Sequence, residues 1–199
     1  MKFGDFYQTL KDGLIGIKKT FFISTYKKYG YFAKNAKIFQ PGFCIKENVF
    51  IYENSVVHEF HKLITLKGKF VLKQNSVAAA GLTVITCNHG YKNVGDYPNG
   101  QGWTDYIIED VIVEEHVWIG ANVTLCPGSH VNRGIIVAAG AVCTKTYYPP
   151  YSIIGGNPAK FIKFKFTLDE QIEHEIKCFD EKDRLDRQLL IDNYKKFNK

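Results

Sequence analysis

Residues 107–142 divide into six consecutive hexads, IIEDVI, VEEHVW, IGANVT, LCPGSH, VNRGII and VAAGAV, and their alignment decides the fold. The first position of each is a large apolar residue: Ile107, Val113, Ile119, Leu125, Val131 and Val137. The fifth is smaller or branched: Val111, Val117, Val123, Ser129, Ile135 and Ala141. The fourth holds Asp110, His116, Asn122, Gly128, Gly134 and Gly140, residue types that tolerate positive φ best. A period of six is neither the 2.0 of a strand nor the 3.6 of a helix. A short strand followed by a tight corner produces it, and such units bury their inner residues only by stacking on one another. Three sides of this kind close a triangular coil of about 18 residues, a parallel β-helix.

The same code runs on the N-terminal side, with Leu72, Ala78 and Val84 inward and Asn75 and Gly81 at corners. Further back, Phe39, Ile45 and Ile51 take the inward phase, and Gly42, Asn48 and Asn54 take the corners. Asn54 and Asn75 stand 21 residues apart, so the register slips within residues 58–68, where His58 and His61 read as a solvated loop pair. Between Thr86 and Tyr106 the repeat lapses into CNHGYKNVGDYPNGQGWTD (87–105), rich in Gly, Asn and Tyr. A loop of that length inside a compact solenoid points to function.

The units VWIGAN (117–122), VAAGAV (137–142) and GGNPAK (155–160) resemble the hexapeptide-repeat acyltransferases. Within that family the chain resembles the sugar O-acetyltransferases, such as the maltose and galactoside enzymes and those of bacterial surface polysaccharide biosynthesis. The resemblance covers roughly residues 36–165. It implies a left-handed β-helix, a hand that the general crossover rule does not predict. It also implies a homotrimer with each active site between two subunits, acetyl-CoA as acyl donor, no required metal, and a sugar or polysaccharide-precursor acceptor.

His89 opens the loop where these O-acetyltransferases carry their catalytic histidine. Acetyl transfer to a hydroxyl requires removal of a proton as the oxygen attacks, and neutral imidazole suits that task near pH 7. Asn88 is read as orienting the acceptor or a water, and Cys87 as a small buried thiol rather than a nucleophile. By the same resemblance, Gly120, Ala138 and Ala139 leave room for the pantetheine arm. Thr144, Lys145, Asn157, Lys160 and Lys163 face the phosphates of CoA, where lysines neutralise and steer an anion. Trp118 borders the cofactor or the acceptor, or else belongs to a trimer interface; His116 is read as a structural corner residue. Acceptor contacts are expected among Tyr97, Asn99, Trp103 and Asp105.

The ends differ from the middle. The net charge is +6, and residues 1–43 alone hold eight Lys against two Asp. Phe3, Phe6, Tyr7, Leu10, Leu14 and Ile17 fall at helical spacing, so residues 1–35 are expected to contain a basic amphipathic helix. It either caps the first coil or lies on an anionic membrane surface. TLDE (167–170) is a capping box, so residues 166–199 are read as a helical tail covering the open end, with Leu185, Leu189 and Leu190 on one side. The division is thus 1–35, the β-helix at 36–165 with its loop at 86–106, and 166–199.

No apolar run reaches the length of a membrane span, and the first residues lack a signal-peptide pattern. Five cysteines without a CxxC pair argue against a disulfide framework and a structural zinc site, and fit a cytoplasmic protein, peripheral to the inner membrane face if the basic helix docks there. No nucleic-acid motif accompanies the positive charge. An N-acetyltransferase of a nucleotide-linked amino sugar shares the fold and the donor, and stays open. A zinc-dependent anhydrase would need three converging histidines, and a non-catalytic assembly module would leave the long loop without a purpose.

Overall fold

A computed structural model describes residues 28–90, 94–95 and 106–198. The expected N-terminal helix and the acceptor candidates Tyr97, Asn99, Trp103 and Asp105 lie outside these residues. The described chain winds through five complete coils. They are β1 (Tyr31–Phe32), β2 (Lys37–Ile38) and β3 (Phe43–Cys44); then β4 (Val49–Ile51), β5 (Val56–Val57) and β6 (Lys62–Ile64); then β7 (Phe70–Leu72), β8 (Val77–Ala78) and β9 (Thr83–Ile85). A hairpin of β10 (Cys87–His89) and β11 (Tyr106–Ile108) intervenes. The fourth coil is β12 (Val111–Val113), β13 (Trp118–Ile119) and β14 (Thr124–Leu125), and the fifth is β15 (His130–Val131), β16 (Ile136–Val137) and β17 (Val142–Cys143). β18 (Ser152–Gly155) begins a sixth, and β19 (Lys160–Phe164) turns back antiparallel against it.

First, second and third strands of successive coils stack into three parallel faces. The register locates every irregularity. The equivalent residues Tyr31, Phe50, Val71, Ile112 and His130 on the first face are each followed six residues later by Lys37, Val56, Val77, Trp118 and Ile136 on the second. Six more residues reach Phe43, Lys62, Thr83, Thr124 and Val142 on the third. Only the return from third face to first varies: Phe43 to Phe50, Lys62 to Val71, Thr83 to Ile112, and Thr124 to His130. Insertions of one, three and twenty-three residues therefore stack on a single edge of the prism, hereafter the return edge.

The inward code holds for the later coils, where Val113, Ile119, Leu125, Val131, Val137, Val111, Val123, Ile135 and Ala141 are fully buried. His116, Asn122, Gly128, Gly134 and Gly140 all have positive φ. Ser129 substitutes for an apolar residue without leaving a polar atom unpaired, since its hydroxyl lies 2.7 and 2.9 Å from the carbonyls of Cys126 and Cys143. Two expectations fail at the edges of the repeat. Ile107 stands in the hairpin rather than the coil and is only half-buried, so the coil resumes at Val111. In the first coil Ile38 and Cys44 pack against the core, while Phe39 is exposed. The single extra residue in the 3-10 turn Lys46–Asn48 shifts the phase by one for everything before it.

His61 also departs from expectation. It is buried, with Nδ1 3.1 Å from the His58 carbonyl, and its ring fills the space where a Cβ at Gly42 would fall. Helices α1 (Leu168–Cys178) and α2 (Arg187–Phe197) follow the solenoid, and Thr167 and Glu170 form the anticipated capping box. α2 packs on β19 through Phe164 stacked on Tyr194, with ring centroids 5.0 Å apart. Leu190 is buried there, but Leu189 is exposed. α1 reaches back to the coils: Glu175 accepts from Tyr151 and from Arg133 Nη1 at 2.9 Å. No helix among the described residues is long and apolar enough to cross a membrane.

Candidate active site

The largest insertion on the return edge carries the candidate base. Its root is held on three sides. The buried Thr86 hydroxyl donates to the Lys67 carbonyl, Glu109 N donates to the Thr86 carbonyl at 3.1 Å, and Lys69 N donates to Asp110 Oδ1 at 2.7 Å. Lys145 Nζ pairs with Glu109 Oε1 at 2.5 Å from the fifth coil. The loop therefore does not leave the solenoid as irregular chain. It leaves as an antiparallel ribbon in which Cys87, Asn88 and His89 face Ile108, Ile107 and Tyr106.

His89 ends β10 as an exposed side chain, its ring 5.6 Å from that of Tyr106. Lys67 Nζ sits 3.9 Å over the Tyr106 ring, a cation–π contact that orders the ring beside the histidine. Asn88 is exposed next to it, and Cys87 is half-buried. A histidine on a paired strand is aimed by the backbone, which a free loop cannot do.

The donor candidates separate into two groups. Trp118 is 55% exposed on the second face, flanked in register by Val77 and Ile136. Gly120, Ala138 and Ala139 follow at the corner between second and third faces, where Ala138 N donates to Ile154 O at 2.8 Å and Val142 N to Gly156 O at 3.0 Å. Asn157 lies in the turn just beyond, and Lys160 and Lys163 are exposed on β19, opposite Gly155 and Ile153. These seven residues share one edge. Lys145 does not join them. It sits on the return edge, bound to Glu109, while Thr144 N lies 3.3 Å from the Tyr148 hydroxyl. Within one chain, Thr144 and Lys145 thus stand on a different edge from Asn157 and Lys160, so all four could face one donor only across a contact between two copies. The seven residues from Ala139 to Lys145 carry the chain from one edge to the next.

Gly120 also has a reason independent of any cofactor. A Cβ there would lie 2.7 Å from Ala139 N and 2.8 Å from Val137 O, both backbone atoms that cannot yield.

Beside Lys145 the structure adds a feature the repeat pattern concealed. Gly128, His130, Asn132, Lys145, Thr146 and Tyr147 line a surface cavity of about 420 Å³. His130 Nε2 lies 2.8 Å from Glu114 Oε1, and the other oxygen of Glu114 is paired with Lys73. Burial opposes ionisation of Glu114, but hydrogen bonds from His130 and Lys73 and their charges outweigh it and hold the carboxyl down to about 2. The sequence signal was available: His130, Glu114 and Lys73 all occupy outward positions of the first face or its rim.

No family model matches the chain. The chain is 38% identical over 122 residues to a probable macrolide acetyltransferase from Lysinibacillus sphaericus, a match spanning 55% of this chain and 67% of that protein. It is 40% identical over 63 residues to a chloramphenicol acetyltransferase from Klebsiella aerogenes, spanning 32% of this chain but only 29% of that one. Among solved structures, a maltose O-acetyltransferase from Clostridium difficile superposes with a TM-score of 0.59 at 22% identity, covering 70% of this chain and 71% of that one. A galactoside acetyltransferase in complex with coenzyme A gives 0.53 at 18% identity, covering 72% and 66%. An N-acyltransferase from Bacillus cereus, in complex with dTDP and coenzyme A, gives 0.56 at 17%, covering 72% and 85%. Six-residue corners, a hairpin-bearing return edge and this degree of identity lead to one conclusion: the chain belongs to the hexapeptide-repeat acetyltransferases, with their β-helix fold.

Proposed function

We propose that the protein transfers the acetyl group of acetyl-CoA to a hydroxyl of a sugar or polysaccharide-precursor acceptor, with His89 as general base. The observation that carries this reading is the position of His89. It stands at the end of a paired strand, outside the coil, on the edge where the solenoid opens into its one long insertion. The neutral imidazole takes the hydroxyl proton while the oxygen attacks the thioester carbonyl. Backbone N–H groups hold the resulting oxyanion, the C–S bond breaks, and the imidazolium returns its proton to the departing CoA thiolate.

The donor lies along the edge of Trp118, Gly120, Ala138, Ala139, Asn157, Lys160 and Lys163, with its phosphates toward the lysines. Because His89 and these residues sit on different edges of one prism, the complete site is assembled between two copies of the chain. A closed threefold assembly repeats that contact three times without leaving an open surface. Trp118 at 55% exposure and Ile162 at 56% are large apolar side chains that such a contact would cover.

A hydroxyl acceptor other than a carbohydrate is the second reading, favoured by the similarity to the macrolide acetyltransferase. One experiment separates these. Purified protein with acetyl-CoA is offered hexosides, an amino sugar on a nucleotide carrier, and a macrolide, and CoA release is followed with mass analysis of each product. Acetyl esters on the hexosides support the proposal. Amide formation on the amino sugar alone, or turnover of the macrolide alone, replaces it.

A further inference from the structure

His116, read from sequence as no more than a corner residue, is met in space by two side chains of α1. We propose that His116, His174 and Cys178 bind a single divalent transition-metal ion of the zinc type, which fastens α1 to the fourth coil. One donor atom from each of the three lies within 4.8 Å of the other two. His116 Nδ1 is 3.2 Å from His174 Nε2, and Cys178 Sγ is 3.8 Å from His174 Nδ1. Ligands at about 2.0–2.1 Å (nitrogen) and 2.3 Å (sulfur) around a tetrahedral ion stand roughly 3.3–3.8 Å from one another. His116 Nδ1 and His174 Nε2 are therefore already near ligand spacing; the 3.8 Å contact of Cys178 Sγ is to the other ring nitrogen of His174, so rotation of the exposed thiol or of the His174 ring brings all three donors onto one ion.

Both sides of the site are preorganised. His174 and Cys178 are four apart on α1, so they rise from the same helical face one turn from each other. His116 is fixed by its left-handed corner, with φ 58°, and by a ladder of side chains up that edge. Asn35 Nδ2 donates to Asn54 at 2.6 Å, Asn54 Nδ2 donates to Asn75 at 3.0 Å, and Asn75 Nδ2 lies 3.2 Å from His116 Nε2. The rings are wedged by aromatic neighbours: Phe179 is 4.8 Å from His116, and Phe166 and Tyr151 are each 5.5 Å from His174.

A donor set of two imidazoles and one thiol selects zinc or cobalt over magnesium or calcium, which demand oxygen ligands. Exposure of Cys178 leaves a solvent path and room for water as fourth ligand. Two cations, Arg133 and Lys165, lie nearby, and their charge disfavours a further positive charge on both imidazoles, so the site needs the thiolate of Cys178. Arg133 is spent on Glu115 at 3.2 Å and Glu175 at 2.9 Å, and Lys165 lies over the rings of Phe166 and Tyr151 at 4.7 and 5.5 Å. Binding as thiolate releases the Cys178 proton to solvent and offsets one of the ion's two charges. If the metal takes His116 Nδ1, the neutral ring carries its single hydrogen on Nε2 with no net proton release, and a turn of the Asn75 amide presents Oδ1 to accept it.

The test uses the full chain, stripped with chelator under reductant and then titrated with zinc alone against a chromophoric chelator, and with cobalt(II) alone by absorption. One equivalent of zinc is expected, and cobalt should show a thiolate charge-transfer band in the near ultraviolet. Cys178→Ser, at an exposed position, should fold as judged by circular dichroism. It should lose the band, weaken zinc binding by at least about tenfold, and lose the rise in Tm that zinc gives the native chain. Zinc should also shield Cys178 from alkylation. Equal zinc affinity in the native chain and in Cys178→Ser, or bound cobalt without a thiolate band, overturns the assignment. None of these readouts depends on acetyl transfer, so the result stands apart from the function proposed above.

Discussion

Gly120 shows how one residue can satisfy two explanations. Its lack of a side chain was read as clearance for a pantetheine arm, yet the backbone of the next coil occupies the Cβ position. Gly120→Ala is therefore expected to destabilise the fold itself, by about 1–3 kcal/mol as overpacking does, and to lower Tm in the absence of any ligand. An unchanged Tm with weakened donor binding would return the residue to the cofactor alone. The cysteines make a second residue-level case. Burial pushes the Cys143 thiol up to about 12 and that of Cys44 up to about 11, while Cys178 is exposed. Alkylation of the metal-free native chain near neutral pH should mark Cys178 and spare Cys143 and Cys44, as peptide mapping can show. The role of Cys143 as a packed inward residue was legible from its place in the repeat. The meeting of Cys178 with His116 was not, because 62 residues and a change of element separate them.

At the scale of elements, the corners explain what could and could not be read. Residues 107–142 repeat without insertion from Val111 onward, so their inward column was legible to the residue. Before Lys46 one extra residue at the return edge displaced the count, and Phe39 was assigned inward although Ile38 is the residue that packs. A hexad count has no means of sensing an insertion in the corner it counts across. The hairpin was legible only as a lapse of pattern; its ribbon depends on backbone pairing of Asn88 with Ile107, which hexad phase cannot reveal. For α1 the capping box marked the start, but the docking partner lay elsewhere in the chain. Glu175 is buried at 3% exposure and accepts from Tyr151, from Arg133 and from Leu185 N at 2.9 Å. Glu175→Ala leaves a largely buried guanidinium with Glu115 as its one remaining ionic partner among the described residues, so a loss of about 3 kcal/mol is expected in denaturant titration. A loss below 1 kcal/mol, the value typical of surface pairs, would mean that α1 is not anchored through this group.

The molecule as a whole is a short prism with two chemically distinct edges. One carries His89 and the other carries the exposed Trp118 and the lysines of β19. That arrangement underlies the proposed trimer, for which light scattering should give about 68 kDa against 22.7 kDa for one chain. A mass of one chain at all concentrations contradicts it. The same separation predicts that Lys160→Ala weakens acetyl-CoA binding most at low salt, where an unscreened phosphate contact counts most. Lys145→Ala, which breaks an exposed pair with Glu109, should change stability by less than about 1 kcal/mol. Its effect on donor affinity shows whether the return edge also contacts the donor.

Fold and family follow from the spacing of corners and the identity to known acetyltransferases; the proposed chemistry rests on His89. The decisive measurement is the kcat of His89→Asn for acetyl transfer to an accepted hydroxyl substrate, in a regime where chemistry limits the rate, with the dissociation constant for acetyl-CoA determined alongside. Asparagine retains hydrogen bonding but cannot take up the proton. The account predicts a fall of about 10² to 10⁴ in kcat with donor affinity unchanged. Retention of most of the native kcat by His89→Asn would contradict it and remove His89 from the role of base.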